Sequence, residues 1–328
     1  MPSSSDSLRR VLVTGAGGFV GAHLVAALDG MGAEVTALVR NAGSFPGNVR
    51  VAQGDLSDSA SLTALLAAGH YDAIFHLAGR NAAAGAVALY EANVVGTAAL
   101  LQAVRALRRP QLRVVLTGSS AEYGASPDDP ITEESPAMPI GDYGVSKLAA
   151  TRMGEVLHAT SGQDVVMVRP FNIVGPGNCA NLLHADVARQ IVGIESAGHQ
   201  PQIRLRDLSS YRDFIDVRDV ASGLIALAER GVAGQVYNLC SGHAMQAAAL
   251  VEMLLAKARQ PISLHTEPPS PTVTGVPYQR GSFQKTKKAC AWMPSISLEK
   301  SLTDTLNYWR KCENLPLSSG QLPEAIQK

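Results

Sequence analysis

An α/β fold built on a doubly wound parallel sheet is predicted by three features of this 328-residue chain. Short β-branched and apolar runs alternate with longer alanine-rich stretches through the first half. A glycine-rich turn follows the first of those runs directly. The alternation then breaks at Arg169-Pro170, and a looser second part follows. Strand, helix and strand in regular succession require right-handed crossovers and cover the sheet on both faces. The second part is read as a smaller C-terminal α/β region, with some segments returning to the sheet.

The strands are expected at residues 11–14, 34–39, 49–53, 73–77, 113–117 and 165–169. The run Ala73-Ile74-Phe75-His76-Leu77 is apolar at nearly every position, which suits a strand buried on both faces. Helices are expected over residues 19–28, 59–66, 87–107 and 143–160. Beyond the break, Pro170, Gly175, Pro176 and Gly177 interrupt regular structure. Further helices are expected near residues 185–196, 217–230 and 245–257. The proline-rich segment 260–277 reads as a loop. A last helix is expected over 298–311, where Leu302, Leu306 and Trp309 keep helical spacing. From Glu313 the chain is polar with Gly and Pro, and reads as a mobile tail. The expected division is 8–170 for the regular doubly wound unit, 171–312 for the looser α/β region and 313–328 for the tail.

Composition narrows the function classes. With 28 basic and 28 acidic residues the formal net charge is +0. The chain therefore lacks the basic footprint of a protein that binds nucleic acid or an anionic membrane. Hydrophobic residues make up 46% and charged residues 17%, a balance that can bury a full core. Cys179, Cys240, Cys290 and Cys312 stand far apart without a C-x-x-C pair. That argues against a zinc knuckle or a thioredoxin-like site and for a reducing compartment. No metal site is expected. Residues 1–7 lack the apolar core of a signal peptide, and no charge-free apolar run of about 18 residues occurs. A cytoplasmic protein without a membrane span is the expectation.

The spacing Gly15-x-x-Gly18-x-x-Gly21 lies between the first strand and the first helix. Glycine permits a tight turn, lets backbone N–H groups approach a pyrophosphate and lets the helix pack close to the sheet. The helix N-terminus then faces the anion. Gly15, Gly18, Phe19, Val20 and Gly21 are therefore read as the dinucleotide-binding turn of a Rossmann-like sheet. An acidic residue at the end of the second strand would select NAD. Here that turn is Leu38-Val39-Arg40-Asn41. Arg40 can pair with a 2′-phosphate, so NADP(H) is preferred and NAD(H) remains possible. Asp55, in Gly54-Asp55-Leu56, can accept from the adenine amino group or cap the helix beginning near Ser57.

Tyr143-Gly144-Val145-Ser146-Lys147 places a phenol and an ammonium four residues apart on one helix face. A Lys beside a Tyr is expected to lower the Tyr pKa and make it a usable general acid or base. The fifth strand ends in Thr117-Gly118-Ser119-Ser120-Ala121-Glu122-Tyr123-Gly124. That is the carboxyl end of a parallel strand, where doubly wound folds bind ligands. A serine there can stabilise an oxygen that changes charge.

With these motifs in order, the chain resembles the extended short-chain dehydrogenase/reductase family, namely its nucleotide-sugar epimerases, dehydratases and reductases. The resemblance extends over His76-Leu77-Ala78-Gly79, Asn93, residues 169–177, residues 211–219, residues 236–239 and Trp292-Met293-Pro294. It implies that Tyr143 is the acid/base, that Lys147 binds the nicotinamide ribose, and that Ser119 contacts the sugar 4-oxygen, with Ser120 as fallback. It further implies that Leu56, Leu77, Ala78, Gly79 and Asn93 border the cofactor. Asn172 resembles an asparagine that contacts sugar or phosphate. Arg212 and Arg280 resemble arginines that clamp the diphosphate, with Arg189 a weaker candidate. Asp142 replaces the usual Pro before the Tyr, Ser282 stands for an Asp, and Cys290-Ala291 replaces Leu-Gly.

Within the family the closest pattern is that of GDP-4-keto-6-deoxymannose reductases. The implied activity is NADPH-dependent reduction of a nucleotide-linked 4-keto-6-deoxy sugar at C4. The runner-up is an NAD-dependent 4-epimerase. A 4,6-dehydratase is disfavoured because Ser120 and Ala121 occupy the positions of its acidic residues. Glu122 alone remains, and on an extended segment it points the other way. A non-catalytic NADP-binding protein is less expected still, because Tyr143 and Lys147 are both present. A homodimer is expected, paired through helices 87–107 and 143–160, whose Ala98, Ala99, Ala103, Ala149 and Ala150 permit close packing.

Overall fold

The computed structural model describes residues 8–41, 43–81, 83–177, 179, 181–197, 200–268 and 275–313. All six expected strands form: β1 (Arg10–Thr14), β2 (Glu34–Val39), β3 (Arg50–Gln53), β4 (Ala73–His76), β5 (Arg113–Thr117) and β6 (Val165–Pro170). The chain then adds β7 (Asn172–Val174), β8 (Gln202–Leu205), β9 (Tyr211–Asp216), β10 (Val236–Leu239), β11 (Ala244–Gln246) and β12 (Ser263–Thr266). The main sheet has the order β3-β2-β1-β4-β5-β6-β10, and every pairing in it is parallel. Strand order reverses between β1 and β4. A crevice opens there at the carboxyl ends, which is where such sheets bind ligands.

Alternate residues of the inner strands serve two cores. Val11, Val13, Phe75 and Val115 face α1 (Phe19–Gly30) and α7 (Val217–Arg230), where they meet Leu24, Leu28, Leu224 and Leu227. Leu12, Ile74, Val114 and Leu116 face the other way, onto Leu62 and Leu66 of α2 (Ser59–Gly69) and Leu100 and Val104 of α4 (Gly96–Ala106). Both faces of these strands are therefore dry, which is why their sequences are nearly continuous in apolar residues.

Helix 87–107 does not run unbroken. It comprises α3 (Ala86–Tyr90), a π turn (Glu91–Val95) and α4. The extra backbone of the π turn carries Asn93 into the interior, where it is buried. The 21 residues Ala86–Ala106 are long and apolar enough to cross a membrane by length and composition, although Glu91 and Arg105 interrupt them, so no charge-free run of about 18 residues arises. Leu89, Asn93, Leu100 and Val104 pack instead inside the fold.

The second part has its own core. The small sheets β11-β9-β7 and β12-β8 are covered by α6 (Leu183–Ala197), α8 (Ala247–Leu255) and α10 (Leu298–Glu313). Ile191, Ile203, Leu250, Leu254, Leu302 and Leu306 meet there. β12 lies within the segment expected to be a loop and pairs with β8. Residues 269–274 of that loop, residues 1–7 and residues 314–328 of the expected tail lie outside the described residues. A short helix not anticipated, α9 (Gln284–Cys290), ends on Ala291 with φ +56°, a left-handed position where glycine is the favoured residue.

Candidate active site

Residues 15–18 alone connect β1 to α1. Gly15 adopts φ +70°, and a Cβ there would stand 2.6 Å from the backbone nitrogen of Ala78. A Cβ on Gly21 would stand 2.1 Å from the carbonyl oxygen of Gly15. Both glycines are thus required by close backbone approach. Gly18 is the N-cap of α1, and no side chain caps the helix. Its first N–H groups are available to an anion at the point where strand order reverses. This arrangement fits a dinucleotide pyrophosphate. Phe19 and Val20 fill the first turn of α1, and the Phe19 ring lies 6.0 Å from His23 and 6.1 Å from His184.

Arg40 is exposed at the carboxyl end of β2. Asp55 accepts hydrogen bonds from the backbone and hydroxyl of Ser57, at 2.9 and 2.8 Å. Those bonds hold its carboxyl below the usual range, with a smaller pull from the Arg40 charge. The cap of α2 is Asp58, not Asp55, so the capping alternative does not describe Asp55. Leu56 lies against Gly96, where a Cβ would meet its side chain at 3.3 Å. Leu77 and Ala78 follow β4 directly beneath the glycine turn. At Gly79 a Cβ would meet Asn93 Oδ1 at 2.6 Å and Lys147 Nζ at 3.6 Å. Asn93 itself is engaged by protein: it accepts from Arg80 N and donates to Arg80 O and Ser146 Oγ. It fastens the 79–80 loop to α5 (Asp142–Ser161).

The three catalytic candidates converge. Ser119 Oγ accepts from Ala121 N at 3.1 Å just beyond β5, where its side chain opposes the burial that raises the Tyr143 pKa, and Lys147 Nζ donates to the Thr117 carbonyl at 2.9 Å. The Tyr143 pKa is raised, not lowered as the Tyr-Lys spacing suggested. Burial pushes it up, the Ser119 side chain draws it down, and the Glu122 charge pushes it up. Burial pulls Lys147 down to about 8 against the raising influence of Glu122. Near neutral pH the site therefore holds a protonated phenol and a charged ammonium.

Ser120 does not join them. It is buried, and Gln279 takes both its hydroxyl and its carbonyl, at 3.4 and 3.1 Å. Residues 120–123 form a 3₁₀ turn, not the extended segment assumed for Glu122. Glu122 nonetheless faces away from solvent, paired with Arg169 at 2.7 Å.

Asn172 and Arg212 line one cavity of about 300 Å³ in the second part, together with Phe214, Leu208 and Arg206. Desolvation lowers the Arg212 pKa. Arg206 was not anticipated, because its neighbours Leu205 and Asp207 give no motif. Arg280 lies elsewhere, ion-paired with Asp129 at 2.7 Å. Arg189 pairs with Asp186 on its own helix at 3.2 Å and is largely exposed. Neither lines the cavity. Asp213 was also missed as an organiser: its buried carboxylate accepts from the backbones of Ser241, Gly242 and Gly281.

Known proteins share this sequence pattern and fold. The model of the NAD dependent epimerase/dehydratase family matches residues 11–240. A dTDP-6-deoxy-L-talose 4-dehydrogenase (NAD(P)(+)) of Kitasatospora kifunensis is 34% identical over 302 residues, covering 90% of this chain and 94% of that protein. A GDP-6-deoxy-D-mannose reductase of Pseudomonas aeruginosa is 33% identical over 307 residues, covering 92% and 97%. The solved structure of RMD from Pseudomonas aeruginosa complexed with NADPH superposes with a TM-score of 0.78 at 31% identity, covering 92% and 99%. A family match over most of the length, with relatives above 30% identity from end to end, makes this chain a member of the NAD dependent epimerase/dehydratase family.

Proposed function

We propose that this protein is an NADPH-dependent reductase of a nucleotide-linked 4-keto-6-deoxy sugar, acting at C4 in the manner of a GDP-4-keto-6-deoxymannose reductase. The observation that carries the reading is the placement of Ser119 just past the carboxyl end of β5, with the Lys147 ammonium of the Tyr143 helix fixed on the Thr117 carbonyl of the same strand. Two relatives named as oxidoreductases of nucleotide-linked 6-deoxy sugars support it, as does the NADPH held by a similar fold.

The bound cofactor supplies the hydride. Gly15, Gly18 and Gly21 with the start of α1 would hold its pyrophosphate, Arg40 its 2′-phosphate and Lys147 its nicotinamide ribose. Tyr143, protonated near neutral pH, donates its proton to the oxygen that gains charge. Ser119 turns its single hydroxyl proton to the same oxygen once the sugar is bound. Arg212 and Arg206, with Asn172, line the cavity that would take the nucleotide diphosphate, where a guanidinium suits phosphate geometry. Locked against Arg169, Glu122 is unavailable to protonate a leaving hydroxyl, which disfavours dehydration.

The test is loss of NADPH absorbance on adding GDP-4-keto-6-deoxymannose or its dTDP counterpart. Steady consumption is expected. Purified protein carrying stoichiometric NAD⁺ and interconverting C4 epimers without net consumption would establish the epimerase instead. In this reading residues 8–170 serve the cofactor and 171–312 the sugar nucleotide. The four free cysteines suit a reducing cytoplasm. We further take the working form to be a homodimer. Val87, Val95, Val145 and Val156 are exposed by 72, 57, 41 and 60% along α3, the π turn and α5. Ala103 and Ala150 are buried in the protein itself and do not contribute to that face.

A further inference from the structure

Directly behind Ser119 lies a buried charge pair that the reaction as described does not use. Glu122 is 0% exposed and Arg169 3%. Removing two charges from water is costly unless every lone pair is satisfied, and here the Glu122 carboxylate is. One oxygen accepts from Ser119 N and from Thr151 Oγ1, both at 3.0 Å, and the other from Arg169 Nε at 2.7 Å. The Arg169 guanidinium also stacks on the Tyr123 ring, 4.6 Å from its centroid.

Three neighbours tie this pair to the reacting groups. Gly118 has no side chain, and a Cβ there would lie 2.1 Å from Glu122 Oε1. The carboxylate thus occupies the space that any other residue at 118 would fill. Thr151 stands one helical turn after Lys147 on α5, so both project toward the end of β5. Lys147 Nζ donates to the carbonyl of Thr117, the residue before Gly118. Finally, Ser119 and Glu122 form a reciprocal capping box around the 3₁₀ turn. That box fixes the Ser119 backbone and, through Ala121 N at 3.1 Å, its hydroxyl oxygen, and the Ser119 side chain acts on Tyr143.

We propose that the Glu122–Arg169 pair, admitted by Gly118, is a positioning device for the acid–base site: it orients Ser119 on Tyr143 and keeps a fixed negative charge close to the Lys147 ammonium. The inference rests on the reading of Ser119, Tyr143 and Lys147 given under the proposed function. The charged and titratable groups around the ammonium and the phenol are few. His76 on β4 is held neutral by burial, down to about 3. Asp142, at the start of α5, accepts from Tyr90 at 3.0 Å. Arg169 on β6 is taken up by Glu122. Glu122 is the carboxylate whose charge raises both Lys147 and Tyr143.

The sign of the effect follows. Removing the Glu122 charge lets both groups lose their protons at lower pH. A reductase needs both protonated, so the alkaline limb of activity moves down. The test uses the full chain with Glu122→Gln. It records NADPH affinity by fluorescence titration against pH, and hydride transfer to GDP-4-keto-6-deoxymannose in a single turnover. Both alkaline limbs are expected to move down by about one pH unit. A merely structural role would lower the folded fraction and leave the limbs in place, and that result would overturn the proposal.

Should Glu122→Gln fail to fold because Arg169 is left buried and unpaired, Glu122→Gln with Arg169→Met removes both charges. A downward shift is again expected of the double variant, smaller because the opposing Arg169 charge goes with Glu122, and unmoved limbs there overturn the proposal. Tyr143→Phe, run in parallel, separates the two readings. Wild-type turnover in that variant would refute the acid–base assignment. The NADPH limb, which involves no sugar, reports on Glu122 independently.

Discussion

Lys147 is buried against the end of β5, and burial draws its pKa down to about 8. The ammonium exists below that pH and is lost above it. The kcat/KM of the free enzyme is therefore expected to fall as pH rises through about 8, a profile read from initial rates at fixed ionic strength. Tyr143→Phe removes the proposed proton donor and is expected to lower turnover by about 10²–10⁴-fold with little change in NADPH affinity. Lys147→Ala is expected to damage both. Arg40→Asp is expected to weaken NADPH relative to NADH by about 1–3 kcal/mol, measured by titrating each cofactor. Equal changes would dissociate Arg40 from the 2′-phosphate. The Tyr-Lys spacing and the strand-end serines were legible in the sequence because helical and strand periodicity alone bring them together. The direction of the Tyr143 shift was not. It depends on burial by residues distant in the chain, and the Lys147 ammonium is turned to a carbonyl instead of the phenol. The placement of Arg280 was equally hidden, since its partner Asp129 is 151 residues away.

At the scale of elements, the inner parallel strands were readable within a residue or so because both their faces are dry; β3, at the exposed edge, was readable from its place in the strand–helix alternation. The strands of the second part were not. Tyr211-Arg212-Asp213-Phe214 reads as a polar segment. It holds as β9 because Asp213 accepts backbone N–H groups from Ser241, Gly242 and Gly281, all contributed from afar. The π turn in helix 87–107 leaves no mark on the apolar pattern, since its effect is to bury one asparagine. The substitution of Ala291 for glycine was visible, and the structure shows its consequence. Ala291 closes α9 at φ +56°, a conformation costing an L residue about 1–2 kcal/mol. Part of that is offset by the greater freedom of glycine in the unfolded chain. Ala291→Gly is therefore expected to stabilise the protein by about 0.5–1 kcal/mol, seen as a higher denaturant midpoint at unchanged slope.

For the whole molecule, the valines exposed along α3, the π turn and α5 predict association. Val145, Ala149, Arg152 and Val156 repeat at helical spacing on one face. Sedimentation at micromolar concentration is expected to give a dimer. Val95→Glu with Val156→Glu is expected to give a monomer that still binds NADPH. A monomeric wild type would rule this face out.

The last strand of the main sheet also has a consequence for synthesis. β10 pairs with β6, and α7 covers α1, yet both are translated after the whole nucleotide-binding segment. A nascent chain released from the ribosome only as far as Pro170 would have β6 as a naked apolar edge. α1 would lack the helix that packs beside it. In the proposed reading the boundary at 170 separates two ligands, but it does not separate two folding units. A fragment ending there is expected to aggregate, and compaction on the ribosome should begin only once Leu239 has emerged. Arrest at successive lengths with protease challenge would locate that step.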